Sequence, residues 1–144
     1  MQYRFEERSA MDLRSLRFLV LWPHRLRMED CVLEADFFPH AKHFAAVDVL
    51  GEIVACCTLI QEGRRIDGQD YPVRLRAMAS HPAVRGTGVG KGLLEYALKQ
   101  SIEKGFWCDA REKAVPFYLK CGWQVKSESY EIPIIGTHFL MIRQ

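Results

Sequence analysis

The stretch Leu75–Ile102, LRAMASHPAVRGTGVGKGLLEYALKQSI, constrains this chain more than any other. It reads as an apolar strand, a proline-containing turn, a loop with glycine at every second position, and an amphipathic helix. Gly86, Gly88 and Gly90 let three backbone amides crowd toward one ligand with no Cβ in the way. The helix begins inside this loop, so its unpaired amides and the positive end of its dipole face the same point. A phosphate or diphosphate is the ligand such a cradle favours.

Spacing separates the phosphate-binding patterns that compete for this loop. A Walker-type loop needs a glycine, four residues, then Gly-Lys-Ser/Thr. Arg85 occupies the first position and Gly92 follows Lys91, so no hydroxyl is placed for Mg²⁺. A dinucleotide fingerprint needs G-x-G-x-x-G, and its third glycine would fall on Lys91 or Leu93. What remains is Arg-Gly-x-Gly-x-Gly after a strand ending in Met-Ala-Ser. This resembles the pyrophosphate loop of the GNAT superfamily of acyl-CoA-dependent N-acetyltransferases, whose R/Q-x-x-G-x-G/A pattern falls on Arg85, Gly88 and Gly90. A second segment, FYLKCGW from Phe117 to Trp123, resembles the family's F/Y-Y-x-K-x-G-F signature, with Trp123 where phenylalanine is usual. The resemblance covers residues 43–144 well and the first forty weakly. Asp36 with His43, and Gly136-x-His138-x-x-Met141, also resemble features of some GNAT subgroups.

With 144 residues the chain is expected to form a single domain, residues 1–144, large enough for a real core. A net charge of +2 without runs of like charge argues against a nucleic acid or a membrane surface as partner. The early apolar run Phe18–Trp22 is too short for a membrane span, and no small-residue cleavage site follows it. Five cysteines, Cys31, Cys56, Cys57, Cys108 and Cys121, with no C-x-x-C pair, suit a reducing cytoplasm and offer neither a disulfide framework nor a metal site.

Taken in order, Gln2–Arg8 alternates as an edge strand, and Met11–Leu21 has helical spacing until Pro23 forbids continuation. Residues 23–40 show no period. Phe44–Val49 and Ile53–Ile60 read as a hairpin buried on both faces, residues 61–70 as a polar turn, and Tyr71–Ser80 as the central strand. On that strand Arg74, Arg76, Met78 and Ser80 share one face unless a bulge intervenes. The next helix carries Val89, Leu93, Leu94, Ala97, Leu98 and Ile102 on one stripe. A short strand from Phe106, a helix within residues 111–123 with Pro116 in its first turn and Gly122 as its stop, and strands over Trp123–Ile132 and Thr137–Ile142 complete the chain. The sum is one mixed α/β sheet, and the order is that of the GNAT fold. An edge strand near the C-terminus offers a route to a homodimer.

The resemblance implies a cosubstrate, acetyl-CoA, and the residues that bind it. Backbone groups of Met78 and Ala79 would take the pantetheine arm as an added strand, and Arg85, Gly86, Thr87, Gly88, Val89, Gly90 and Lys91 would hold the pyrophosphate. Tyr118 would give its proton to the departing thiolate. Arg111 falls where many members carry asparagine, and would reach the cofactor or the acceptor. No metal is implied. The acceptor is a primary amine, with a small molecule favoured over a protein. A lysine-like amine has a reference pKa of about 10.4, so a base must free its lone pair. His81, Glu52, His43, His138 and ordered water are the candidates, and Arg74 with Arg76 could hold an acceptor carboxylate. Two rivals stand beside this reading, an acyl-CoA sensor without turnover and a different nucleotide-binding α/β protein.

Overall fold

The computed structural model describes residues 2–144. It contains β1 (Arg4–Arg8), a 3-10 turn (Ala10–Leu13) leading into α1 (Arg14–Val20), and two more 3-10 turns (Met28–Asp30 and Glu34–Phe37). Next come β2 (Lys42–Val47), β3 (Ile53–Ile60), β4 (Arg64–Ile66), β5 (Gln69–Tyr71), β6 (Val73–Ser80) and α2 (Val89–Gln100). The chain ends with β7 (Phe106–Arg111), α3 (Val115–Lys120), β8 (Gln124–Val125), β9 (Tyr130–Ile132) and β10 (Gly136–Arg143). The pairing is mixed: β6 and β7 run parallel, whereas β1 with β2, β2 with β3, and β10 with β7, β8 and β9 run antiparallel. Two compact units result, one from the N-terminus to Ile60 with Arg76–Ser101, the other from Gln61–Leu75 with Ile102–Gln144. Among the described residues no helix is long and apolar enough to cross a membrane.

In the first unit the strands run in the order β1, β2, β3, β6. The hairpin of β2 and β3 is buried nearly throughout, as its unbroken apolar runs require. One face meets Leu13 and Leu16, which pack with Ala45, Val47, Cys56 and Ala79. α2 packs on the same two strands. Phe5 and Phe44 both meet the Tyr96 ring, at 5.8 and 6.0 Å between centroids. Gly92 has no side chain because the Phe5 ring is there; a Cβ would lie 2.8 Å from its Cζ.

The boundaries of β2 and α2 shift from the sequence expectation. β2 begins at Lys42 and ends at Val47, because the Asp48 carboxylate accepts the amides of Leu50 and Glu52, both at 2.9 Å, and closes the turn early. The expected stripe on α2 also ends sooner. Ser101 takes an extended conformation after Gln100, which leaves Ile102 98% exposed.

What fastens the irregular stretch before β2 is a charged cluster in the core. Arg17 on α1 and Asp36 are both fully buried and form a two-armed ion pair at 2.7 and 3.0 Å. Arg17 Nη2 also donates to Thr58 Oγ1 at 2.9 Å and Nη1 to the Cys31 carbonyl at 3.3 Å. Asp36 Oδ2 accepts the Leu33 amide at 2.7 Å. His43 closes the cluster, with Nδ1 on Thr58 Oγ1 at 2.9 Å and Nε2 on the Asp36 carbonyl at 3.3 Å.

In the second unit β7 lies beside β6 in register Val73 to Phe106, and β10 lies on its other side. Residues 61–70, expected to be a polar turn, instead contribute a two-stranded hairpin of β4 and β5. Asp67 and Gly68 connect it with φ of 51° and 78°, the left-handed pair that a two-residue hairpin turn needs. The hairpin buries Ile66 and Tyr71 against Trp107, Leu140 and Ile142. Trp123–Ile132 is likewise two short strands rather than one. The chain leaves β10 after Val125 and returns at Tyr130, with the Ser127 hydroxyl accepting the Leu140 amide at 2.9 Å in between.

Candidate functional site

The glycine loop lies wholly in the first unit. His81 caps a 3-10 turn, Pro82–Val84, by accepting the Ala83 amide on Nδ1 at 3.0 Å. Thr87 then folds back: its amide and its hydroxyl both donate to the Val84 carbonyl. Gly86 and Gly88 have φ of 81° and 86°, so glycine is required there by conformation, and a Cβ at either would meet nothing within 4 Å. Those two exposed positions therefore face open space. The first helical bond of α2 runs from the Gly92 amide to the Gly88 carbonyl at 2.9 Å, so the first-turn amides of Gly90 and Lys91 have no acceptor within the helix. Val89 has a weak one, Thr87 Oγ1 at 3.4 Å. Gly90 and Val89 are buried, whereas Arg85 and Lys91 are exposed cations at the loop's two ends. The result is a small concave array of amides flanked by positive charge. A Gly88→Ala substitution should cost about 1–2 kcal/mol for the left-handed residue; denaturant unfolding would register the loss.

The strand before this loop carries a kink. Ala77 has φ of 53°, which breaks the alternation, so that Arg76, Ala77 and Met78 are all half-buried and only Ala79 returns to the core. Cys56 Sγ reaches the Ala77 carbonyl at 3.8 Å. Met78 and Ala79 thus sit just past a bend, where the backbone of β6 departs from regular pairing.

Tyr118 lies in the second unit, on α3. Pro116 stands in the first turn and Gly122 follows the helix with φ of 84°, as expected. Arg111, the last residue of β7, starts a 3-10 turn, Glu112–Ala114, that feeds this helix. Tyr118 is 6% exposed, with the rings of Phe117 and Trp123 at 5.2 and 5.3 Å. The Trp123 indole N–H is buried with no protein acceptor. Half-burial lowers the pKa of the Arg111 guanidinium, and the charge that Tyr118 can develop works against that lowering.

The remaining candidates separate clearly. Arg74 is committed to ion pairs inside the protein, neither facing the surface nor open to an acceptor carboxylate. It donates to Glu62 at 2.8 Å and to Asp109 at 2.7 Å and lies 4.6 Å over the Trp107 ring. Burial lowers the His43 pKa against the opposing charge of Asp36, and both its ring nitrogens are engaged, so it belongs to the core cluster. Glu52 is exposed in the β2–β3 turn. His138 is 4% exposed, bonded through Nδ1 to the Gly136 carbonyl at 2.7 Å and stacked on Tyr130 at 6.2 Å. Tyr130 in turn donates to Asp109. Burial first, then that bond and the charge of Asp109, push the Tyr130 hydroxyl well up. The role of Asp109 and Tyr130 carries no sequence signal, because residues 109, 130 and 138 meet only through strand pairing. All five cysteines are buried and none forms a disulfide, and burial raises Cys31, Cys57 and Cys108 and pushes Cys56 up to about 12.

Comparison with known proteins matches a family model described as an acetyltransferase (GNAT) domain to residues 39–125. YitI of Bacillus subtilis (strain 168), described as an uncharacterized N-acetyltransferase, is 28% identical over 138 residues, covering 94% of this chain and 91% of its own. The peptidyl-lysine N-acetyltransferase YjaB of Escherichia coli (strain K12) is 31% identical over 120 residues, covering 83% of this chain and 72% of its own. Among solved structures, an aminoglycoside 6'-N-acetyltransferase complexed with coenzyme A matches with a TM-score of 0.74, covering 97% of this chain and 96% of that one. At 16% identity that likeness is one of fold.

Proposed function

Since the chain belongs to the GNAT family of acyl-CoA-dependent N-acetyltransferases, as the match over residues 39–125 shows, we propose that it moves the acetyl group of acetyl-CoA directly onto a primary amine. In this reading residues 1–144 act as one acetyltransferase domain in a reducing, cytoplasmic setting. Arg85, Gly86, Thr87, Gly88, Val89, Gly90 and Lys91 would hold the diphosphate, Met78 and Ala79 the pantetheine arm; Tyr118 would be the acid, and Arg111 would reach the cofactor or the acceptor. The observation that carries the reading is the loop: two left-handed glycines facing open space, first-turn amides without helical acceptors, and cations at both ends. Those residues fit a diphosphate.

Acetyl-CoA would supply the activated acyl group, a thioester. The kink at Ala77 leaves the backbone beyond it irregular, and the proposed work of Met78 is to donate its amide to the thioester oxygen as charge develops. Tyr118 would protonate the departing sulfur. A thiol has a reference pKa of about 8.5, so this help need only be modest. Transfer without an acyl-enzyme is supported by the cysteines. Burial favours the neutral thiols of Cys31, Cys56, Cys57 and Cys108, which are poor nucleophiles.

A small-molecule amine is the favoured acceptor. The likeness to YjaB supports a second reading, a lysine side chain of a protein. Titration calorimetry and thiol release test the whole proposal together. Acetyl-CoA should bind while ATP and NAD do not, and free thiol should appear only when an amine is added. Binding without thiol release from any amine would instead mark an acyl-CoA sensor. Competition by ATP or NAD would point to a different nucleotide-binding protein.

A further inference from the structure

We infer that His138 is the general base that takes the proton from the acceptor amine, a role that rests on the transferase reading above. The inference begins with tautomers. The Gly136 carbonyl can only accept, so the bond at 2.7 Å places a proton on His138 Nδ1. In the neutral ring Nε2 is then the bare nitrogen. His81 is fixed the other way, since its Nδ1 accepts the Ala83 amide at 3.0 Å and its proton must sit on Nε2. To act as a base it would have to give up the cap before α2. His43 has both nitrogens engaged, with Thr58 and the Asp36 carbonyl.

The surroundings hold the His138 ring in place. It stacks on Tyr130 with an interplanar angle of 27°, and the Tyr130 hydroxyl donates to Asp109. The other Asp109 oxygen accepts from Arg74 Nη2 at 2.7 Å, and Arg74 Nη1 donates to Glu62 at 2.8 Å. This chain, from β6 through β7 to β9, makes Tyr130 a positioning residue for the base. On its own face of the sheet His138 has Arg111 and, one pair further on, Asp109 from β7, and Tyr130 from β9. Glu131 pairs with Thr137 and takes its hydroxyl on the opposite face. Arg111 is the cross-strand partner of His138 and starts the turn that leads into α3, the helix that carries Tyr118.

The proton accounting closes. His138 Nε2 takes one proton from the acceptor ammonium, and the freed nitrogen lone pair forms the N–C bond to the acetyl carbonyl. The C–S bond breaks, and the thiolate takes the Tyr118 proton. The second amine proton, lost as the amide forms, restores Tyr118. His138 returns its own proton to solvent. The net products are the acetamide, coenzyme A and one proton.

The test uses the whole chain with acetyl-CoA and four amines in turn: a lysine-bearing peptide, spermidine, glucosamine 6-phosphate and kanamycin. His138→Gln should lower kcat on the order of 10²–10³-fold. It should also abolish the acid limb of the pH profile, and added imidazole should restore rate. Coenzyme A should bind the variant as it binds the parent. Tyr130→Phe should cause a smaller fall in kcat without a change in KM for acetyl-CoA. On the unmodified protein, ¹⁵N-histidine NMR at alkaline pH should show His138 protonated on Nδ1, a readout independent of turnover and of how the variants fold. A proton on Nε2, or a His138→Gln variant that keeps both its rate and its acid limb, overturns the inference while leaving the transferase reading intact. A parent protein that acetylates none of the four amines removes the transferase reading itself, and the base with it.

Discussion

Arg17→Met should destabilise the fold by about 3–5 kcal/mol, because it leaves the Asp36 carboxylate buried without its cation. Asp36 is sealed from solvent, and its side-chain oxygens would keep the Leu33 amide as donor but no cation of fixed charge. Chemical denaturation of the purified variant measures the loss. Exchanging both partners for apolar residues, as in Arg17→Met with Asp36→Leu, should recover much of it, since the penalty lies in the lone charge more than in the absent pair. A single variant as stable as the parent would mean that the cluster is a bystander.

The same cluster sets the acid limb of stability. Burial lowers the His43 pKa, outweighing Asp36, so the unfolded chain takes up a proton that the folded protein resists. Stability therefore begins to fall as pH drops through about 6.5, the reference value for histidine. Burial alone would raise Asp36. The hydrogen bond from Arg17, the Leu33 amide and the nearby positive charge outweigh it and hold the carboxyl below its usual range. Its contribution is present above about 3.9 and is lost as pH falls toward the folded value. Both shifts have the same sign, so a pH series of unfolding curves should descend toward acid in two stages. His43→Gln should remove the earlier one.

The second large effect is expected at Tyr118. Tyr118→Phe should lower kcat on the order of 10²-fold while leaving coenzyme A affinity and thermal stability close to those of the parent. Phenylalanine keeps the ring contacts to Phe117 and Trp123, so the substitution separates the hydroxyl from the anchor. Unchanged turnover would reduce Tyr118 to an aromatic support for α3. A parallel fall in affinity would move its role from chemistry to binding. Steady-state kinetics with calorimetry distinguishes the three outcomes.

Much of this was legible locally. The loop at Arg85–Lys91 declared its conformation through glycine spacing, and Gly86 and Gly88 are left-handed in the folded chain. The hairpin of β2 and β3 followed from apolar runs, and Pro116 and Gly122 marked the ends of α3. What was missed had a short signal or none. Asp67-Gly68 is the strongest two-residue hairpin cue, but the arginines around it read as a solvated turn, while Ile66 and Tyr71 turn inward on the alternate positions. Arg74 looked free because Glu62 and Asp109, its partners, are 12 and 35 residues away.

The sequence by itself determined the local choices: where strands could persist, where helices had to stop, and where the backbone needed glycine to turn left. These rest on dihedral preference and periodicity, which act over a few residues. Only the tertiary structure decided which polar groups stand alone and which are already satisfied. It buried Arg17 with Asp36, gave Arg74 to Asp109, and left His138 with its tautomer fixed by a carbonyl. The reason is that hydrogen bonds and ion pairs depend on distance in space, and strand pairing brings together residues that spacing along the chain keeps apart.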